Sequence, residues 1–281
     1  MILIDYSQLS FAAALEHLMS TKDAPSTDLL RHLVLNSIRA ITKKYKGTYG
    51  PRVVLAMDGP NYWRREVFAH YKAKRKAQRD SSGQDWGKVF DLLNPLKTEF
   101  PVSLPYTVLR LEGAEADDVI GCLVQIYAPH EKILIVSSDK DFHQLHGLGD
   151  VKQWSPAKKA FVKAENQSTC LKELILRGDT GDGIPNVLSA DDVFVTGGRQ
   201  KPLTNKKLQE YLSLEPSLLP MDVQRNYARN RMLIDLQHIP TTITTRIREA
   251  FDSSTPASKQ EFLTYLTSHR LAALTECIHE F

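Results

Sequence analysis

Three short apolar runs, Ile2 to Ile4, Val53 to Met57 and Ile133 to Val136, each lead into an aspartate: at Asp5, at Asp58 and, two serines later, at Asp139. Runs this short and this uniformly apolar read as strands buried on both faces. Segments of helical periodicity lie between them, one through Leu29, Leu33, Ser37 and Ala40 to Ile41, another through Ile120, Leu123, Val124 and Tyr127. Alternating strands and helices imply an α/β fold, a mainly parallel sheet covered on both faces. Ligands bind such sheets off the carboxyl ends of the strands, where all three aspartates fall. One strand-terminal Asp is an ordinary cap or turn former; three at one sheet edge suggest chemistry.

A chain of 281 residues, 42% hydrophobic, can bury a core without disulfides. Its three cysteines, Cys122, Cys170 and Cys277, are odd in number and widely spaced, which argues for a reducing compartment and against a zinc ribbon. No apolar run approaches the ~18 residues of a membrane span, and Asp5 stands where a signal peptide would be apolar, so a cytoplasmic location is expected. After about Gly147 the pattern changes. Val151 to Trp154 and Ala160 to Val162 read as a hairpin, followed by helices over Leu171 to Leu176, Leu203 to Leu212 and Val223 to Leu236. The expected organisation is an α/β core over 1–147 and a smaller, mainly helical region over 148–281.

The acids gather further: Glu115, Asp117 and Asp118 stand together, as do Asp139 and Asp141, and Asp179 and Asp182 lie in the glycine-rich stretch Gly178-Asp179-Thr180-Gly181-Asp182-Gly183. Such a cluster repels itself unless cations neutralise it, and hard oxygen ligands suit Mg²⁺ or Mn²⁺ better than zinc. Two such ions would polarise a phosphodiester and supply a nucleophile. Glu115 and Asp118 share a helical face that Asp117 does not, so the trio must straddle a loop-to-helix junction to converge. A haloacid-dehalogenase-type phosphatase would need an acid at Ser7, and a calcium loop would need ligands that the Gly178 stretch lacks.

Net charge is only +3, yet between Tyr62 and Arg79 seven cations, Arg64, Arg65, Lys72, Lys74, Arg75, Lys76 and Arg79, face the single acid Glu66. As a helix this segment would line up Arg65, Lys72, Arg75 or Lys76, and Arg79 along one stripe able to follow phosphates. Tyr71 is a candidate for stacking on an unpaired base.

Leu-Ile-Asp-Tyr-Ser-Gln at 3–8, Tyr-Trp-Arg-Arg at 62–65, Glu-Ala-Asp-Asp at 115–118, Ser-Ser-Asp-Lys-Asp-Phe at 137–142, Val-Lys-Gln-Trp-Ser-Pro at 151–156 and Gly-Asp-Thr-Gly-Asp-Gly at 178–183 occur in this order along nearly the whole chain. Together they resemble the flap endonuclease and 5′-nuclease family, on the side of the ribonucleases H of T-even-like bacteriophages. The resemblance implies a PIN-like core with a helical arch at 62–79, then a helix-hairpin-type DNA-binding region and C-terminal helices. It implies a Mg²⁺-dependent 5′ to 3′ exonuclease and flap endonuclease with ribonuclease H activity, removing RNA primers and 5′ flaps in lagging-strand replication. Two Mg²⁺ ions are implied, with Mn²⁺ able to substitute. Asp5, Asp58, Glu115 and Asp117 match ligands of one ion, Asp117, Asp139, Asp141 and Asp182 those of the other, and Asp118 and Asp179 accessory acids. Tyr71, Lys72 and Arg75 match the arch pattern, with Lys72 and Arg75 neutralising the phosphate. Arg64, Arg65, Lys76 and Arg79 would hold DNA.

Two departures shape the expectations. The glycine hairpin of bacterial members is missing from Ile184 to Thr196, which carries Asp191 and Asp192 instead; Arg199, Lys201, Lys206 and Lys207 are then the candidates for duplex phosphates. The chain begins at its first strand, without the N-terminal extension linked to clamp binding in phage relatives, so no sliding-clamp partner is expected. The expected partners are branched DNA and RNA:DNA duplexes with 5′ ends or flaps, and a single-stranded DNA-binding protein in a phage-infected bacterial cell. No membrane is expected, and the chain is expected to be a monomer. The rivals are a PIN-type ribonuclease, usually half this length and without the arch, and a non-catalytic structure-specific DNA-binding protein, free to lose acids that this chain keeps.

Overall fold

A computed structural model describes residues 1–21, 26–75, 86–163 and 167–281. Its centre is a six-stranded sheet of order β3-β2-β1-β4-β5-β6, from β1 (Ile2–Asp5), β2 (Val53–Met57), β3 (Thr107–Arg110), β4 (Ile133–Val136), β5 (Val151–Ser155) and β6 (Ala160–Phe161). All neighbours pair in parallel except β5 with β6. The strand order reverses at β1, which lies between β2 and β4, so Asp5 ends its strand at the topological switch point.

Side chains alternate through the sheet into two cores. Ile2, Ile4, Leu55, Met57, Leu134 and Val136 meet one set of helices, including α1 (Tyr6–Thr21) and α2 (Thr27–Tyr49). Leu3, Val54, Ala56, Ile133 and Ile135 meet the other, led by α6 (Ala116–Tyr127). The helix α2 is long because Leu30, Val34, Leu35, Ile38, Ile41 and Tyr45 form one buried stripe; Ser26 caps its start, its hydroxyl accepting from Leu29 N at 3.2 Å. A third core joins helices α7 (Gln167–Arg177), α8 (Asn205–Ser213) and α9 (Met221–Ile234), with Phe68 and Tyr71 packed into it.

The three expected strands, the hairpin and these helices form where the sequence places them. Three features differ. β3 was not foreseen, because at this sheet edge only Leu109 is buried and no apolar run marks it. The hairpin is not a detached element: β5 pairs with β4, so the sheet continues past residue 147. The arch segment is not one helix. It is helical over α3 (Trp63–Val67), then turns, with Lys72 at a left-handed φ of 57°. No helix among the described residues is long and apolar enough to cross a membrane.

Candidate active site

The parallel strands deliver their aspartates to one edge. Asp5 is 4% exposed and accepts from Gln8 N at 3.1 Å and Ser137 Oγ at 2.9 Å. Burial, then Asp58 and Asp139, raise its carboxyl to about 7 in spite of those hydrogen bonds. Asp58 accepts from Ser7 Oγ and Ala116 N, both at 3.0 Å. Its loop is fixed by Gly59, where a Cβ would fall 1.6 Å from the Leu111 carbonyl oxygen. Asp139 caps the 3-10 helix Lys140–Leu148, accepting from Asp141 N at 3.0 Å. Ser137 ties strand to strand: its hydroxyl donates to Asp5 and accepts from Asp139 N at 3.1 Å. Gln153 of β5 donates to the carbonyls of Ser137 and Asp139, at 2.9 and 2.6 Å.

The acids of α6 divide as their positions dictate. Glu115 is the N-cap, and Asp118 completes a capping box by accepting from Glu115 N at 2.9 Å. Asp117 is left to meet the strand acids, its carboxyl held well above the usual range by desolvation and then by Asp139 and Asp5. Asp141 is raised likewise, by burial and then by Asp139, Asp179 and Asp182. From the Gly178 loop, Asp179 accepts from Asp182 N at 3.0 Å and pairs with Lys140 at 2.8 Å.

Lys72, Arg75 and Tyr71 close the site from the arch base. Lys72 Nζ pairs with Glu115 and lies 3.7 Å from Asp182, while its backbone N donates to the Asp182 carbonyl at 2.7 Å. Arg75 pairs with Asp182. Burial would raise the Asp182 carboxyl, but Lys72 and Arg75 outweigh it and hold Asp182 low. The Tyr71 hydroxyl stands 2.9 Å from both Glu115 and Asp182 and donates to one at a time.

Several expectations are corrected by this geometry. Asp118 is fully buried and its oxygens are engaged by Trp63 Nε1 at 3.1 Å, Glu115 N and Arg64 at 2.8 Å, so it braces the helix and does not face the other acids. Arg64 is 3% exposed and bonded to Glu115, Asp118 and the Leu233 carbonyl, so it holds the arch base to the core and cannot meet DNA. Tyr71 is 2% exposed, so its ring cannot stack on a base. Arg65, Arg199, Lys201, Lys206 and Lys207 are all exposed. Lys76 and Arg79 lie outside the described residues. The sequence assigns no role in orienting the acids to Ser7, Trp63, Ser137 or Gln153, although all four stand inside the quoted motifs, which carried that signal.

The buried Arg64 gives a direct check on stability. Replacing it by Met leaves Glu115 and Asp118 buried without their shared cation, and should cost about 3–5 kcal/mol in urea denaturation. An unchanged midpoint would restore Arg64 as a candidate DNA contact.

Among the described residues no three acids, histidines or cysteines are already drawn together at ion-holding distance. Lysines, hydroxyls and backbone N–H groups hold the carboxylates instead. All the donors are nonetheless hard oxygens, and Asp5, Asp117 and Asp141 are each raised by burial and then by the charge of neighbouring acids, Asp139 among them in every case, which is the condition a multivalent cation relieves.

Residues 1–173 match the family model described as 5′-3′ exonuclease, N-terminal resolvase-like domain, and residues 166–281 match that described as T4 RNase H, C terminal. The ribonuclease H of Enterobacteria phage T4 is 33% identical over 99% of this chain and 95% of its own. A 5′-3′ exonuclease of Buchnera aphidicola is 29% identical over 55% of this chain and 54% of its own. Among solved structures, a bacteriophage T5 5′-exonuclease with bound zinc superposes with a TM-score of 0.60 at 14% identity, covering 91% of this chain and 99% of that one. A complex of the T5 flap endonuclease with DNA and metal ions gives 0.60 at 15% identity, over 90% and 99%. These two likenesses bear on the fold.

Proposed function

We propose, because this chain belongs to the 5′-3′ exonuclease family in its phage ribonuclease H branch, that this nuclease cuts phosphodiesters near the 5′ ends of branched DNA and of RNA paired to DNA, removing 5′ flaps and RNA primers. The observation that carries this is the gathering of Asp5, Asp58, Asp117, Asp139 and Asp141 at one sheet edge, faced by Lys72 and Arg75. Two Mg²⁺ ions, with Mn²⁺ as a substitute, fit this all-oxygen donor set. Asp5, Asp58, Glu115 and Asp117 would hold one, and Asp117, Asp139, Asp141 and Asp182 the other, with Asp179 adjacent. When bound they supply charge stabilisation and a nucleophile at neutral pH.

The chain's own residues position the rest. Ser7, Ser137 and Gln153 fix the acids in place. Lys72, 8% exposed at its side chain, keeps its charge because burial is overcome by Glu115 and Asp182, so it meets a phosphate as a cation. Arg75, more exposed, stands beside it. Contacts of this kind read backbone and shape, so selectivity should be for structure over sequence. Cleavage of a labelled 5′ flap, a nicked RNA:DNA hybrid and a bare single strand, with Mg²⁺ and with chelator, tests the reading. Activity in chelator, or on the single strand alone, would reject it.

The raised carboxyls also set a pH dependence. From the usual carboxylate range up to about pH 7, folded Asp5 keeps a proton that the unfolded chain releases, so folding stability falls as pH rises through that window. Asp117 and Asp141 act in the same direction, and Asp182, held low, contributes only below it. In chelator the melting temperature should therefore drop between about pH 5 and about pH 8, and millimolar Mg²⁺ should restore it more at the higher pH. A melting temperature insensitive to both would contradict the ligand set.

A further inference from the structure

A cavity of about 380 Å³ opens beside Asp58, without Glu115 in its lining, and the mechanism above leaves it unused. Its walls come from Ser7 and Gln8 at the start of α1, from Tyr62 and Arg75 at the arch base, from Phe90, and from two cations, Lys97 and Arg110. Arg75 is paired with Asp182, but neither Lys97 nor Arg110 has an ion pair or side-chain hydrogen bond among the described residues. Lys97 is only partly exposed; its charge is disfavoured by burial and by Arg110, with Asp58 as the opposing attraction. A recessed lysine that has no partner among the described residues, beside an arginine, calls for an anion.

The rest of the wall says which anion. The rings of Tyr62 and Phe90 and the amide of Gln8 accompany the cations, the combination of flat apolar faces and positive charge that receives a base and its phosphate. The volume lies at the low end of the range for small-ligand sites, enough for one nucleotide and too small for a base pair. The cavity shares Asp58 with the acid cluster, so its occupant adjoins the bond being cut. We propose that this cavity is a subsite for the unpaired nucleotide on the 5′ side of that bond, with its phosphate held by Lys97 and Arg110. The proposal rests on the nuclease reading above. The phosphate is either the terminal 5′-phosphate of a nick or an internal phosphodiester of a flap.

The test is fluorescence anisotropy in chelator with three DNAs: a duplex with a 5′ flap, a nicked duplex with a 5′-phosphate, and the same nick with a 5′-hydroxyl. Arg110→Gln and Lys97→Gln should each weaken binding about tenfold where the phosphate is present, and Lys97→Arg should retain most of the affinity. A loss confined to the flap identifies the internal phosphate; a loss on the phosphorylated nick relative to the hydroxyl nick identifies the terminal one. Either supports the subsite. Equal losses on all three DNAs would mean a generic basic surface, and no loss would mean no phosphate contact; each overturns it. Arg110 is exposed, so its variant tests the idea even if Lys97→Gln fails to fold, which a melting curve reports. Wild-type cleavage with Mg²⁺ on the same DNAs separates the two levels. An inert wild type fails the nuclease reading, whereas an active wild type whose variants bind like it fails the subsite alone.

Discussion

Asp139→Asn should reduce cleavage by about 10³-fold or more while leaving affinity for flap DNA in chelator nearly unchanged. Asp139 is the acid that all three raised carboxyls share as a neighbour: it adds to the effect of Asp58 on Asp5 and is the foremost charged neighbour of Asp117 and Asp141. Asparagine keeps the cap, because its side-chain oxygen still accepts from Asp141 N, and Asn caps as well as Asp. What is lost is one negative charge at the proposed metal site. The same loss relieves repulsion in the metal-free protein, so the melting temperature in chelator should rise as activity falls. Calorimetric titration should show weaker Mg²⁺ binding. Full turnover by this variant would overturn the assignment of the acid cluster as the metal site.

The sheet was legible because a strand buried on both faces leaves an unbroken apolar run, and β1, β2 and β4 are such strands. β3 left no such trace, since its exposed positions carry Arg110 and its neighbours are half covered. The acids were legible as a set but not in their individual roles. Glu115 and Asp118 share a face, and that sharing turns out to be the capping box; the acid off that face, Asp117, is the one that joins the strand acids.

Charge patterning misled in the arch for a related reason. A run of cations carries no period of its own, so it could be drawn as one helical stripe. The chain instead leaves α3 after Val67 and turns sharply at Lys72. Arg64 and Arg65 are chemically identical neighbours, yet α3 points the first into a cage of buried acids and leaves the second in solvent beside Tyr62. Only the packed structure distinguishes them, because burial is set by residues far along the chain, such as Leu233.

That turn changes why Lys72 matters, and with it the second large effect. Lys72 and Arg75 do not meet through helical spacing. They meet because both reach Asp182, with the Lys72 backbone itself bonded to the Asp182 carbonyl. Lys74, two residues on, points elsewhere, its ammonium 4.8 Å from the Phe194 ring centre in the helical region. Lys72→Ala should therefore slow single-turnover cleavage at saturating enzyme by about 10²-fold or more, since a fixed cation acts most strongly as charge develops on the phosphate. Lys74→Ala should cost only a small, salt-dependent part of affinity. Removing Lys72 also leaves Glu115, 1% exposed, with Arg64 as its remaining cation, so some stability is lost in chelator. Rates taken well below the melting temperature of each variant separate that loss from the chemical one. Small, equal effects at the two positions would make Lys72 only a brace for Glu115, and the role of the arch base in the chemical step would fall with it.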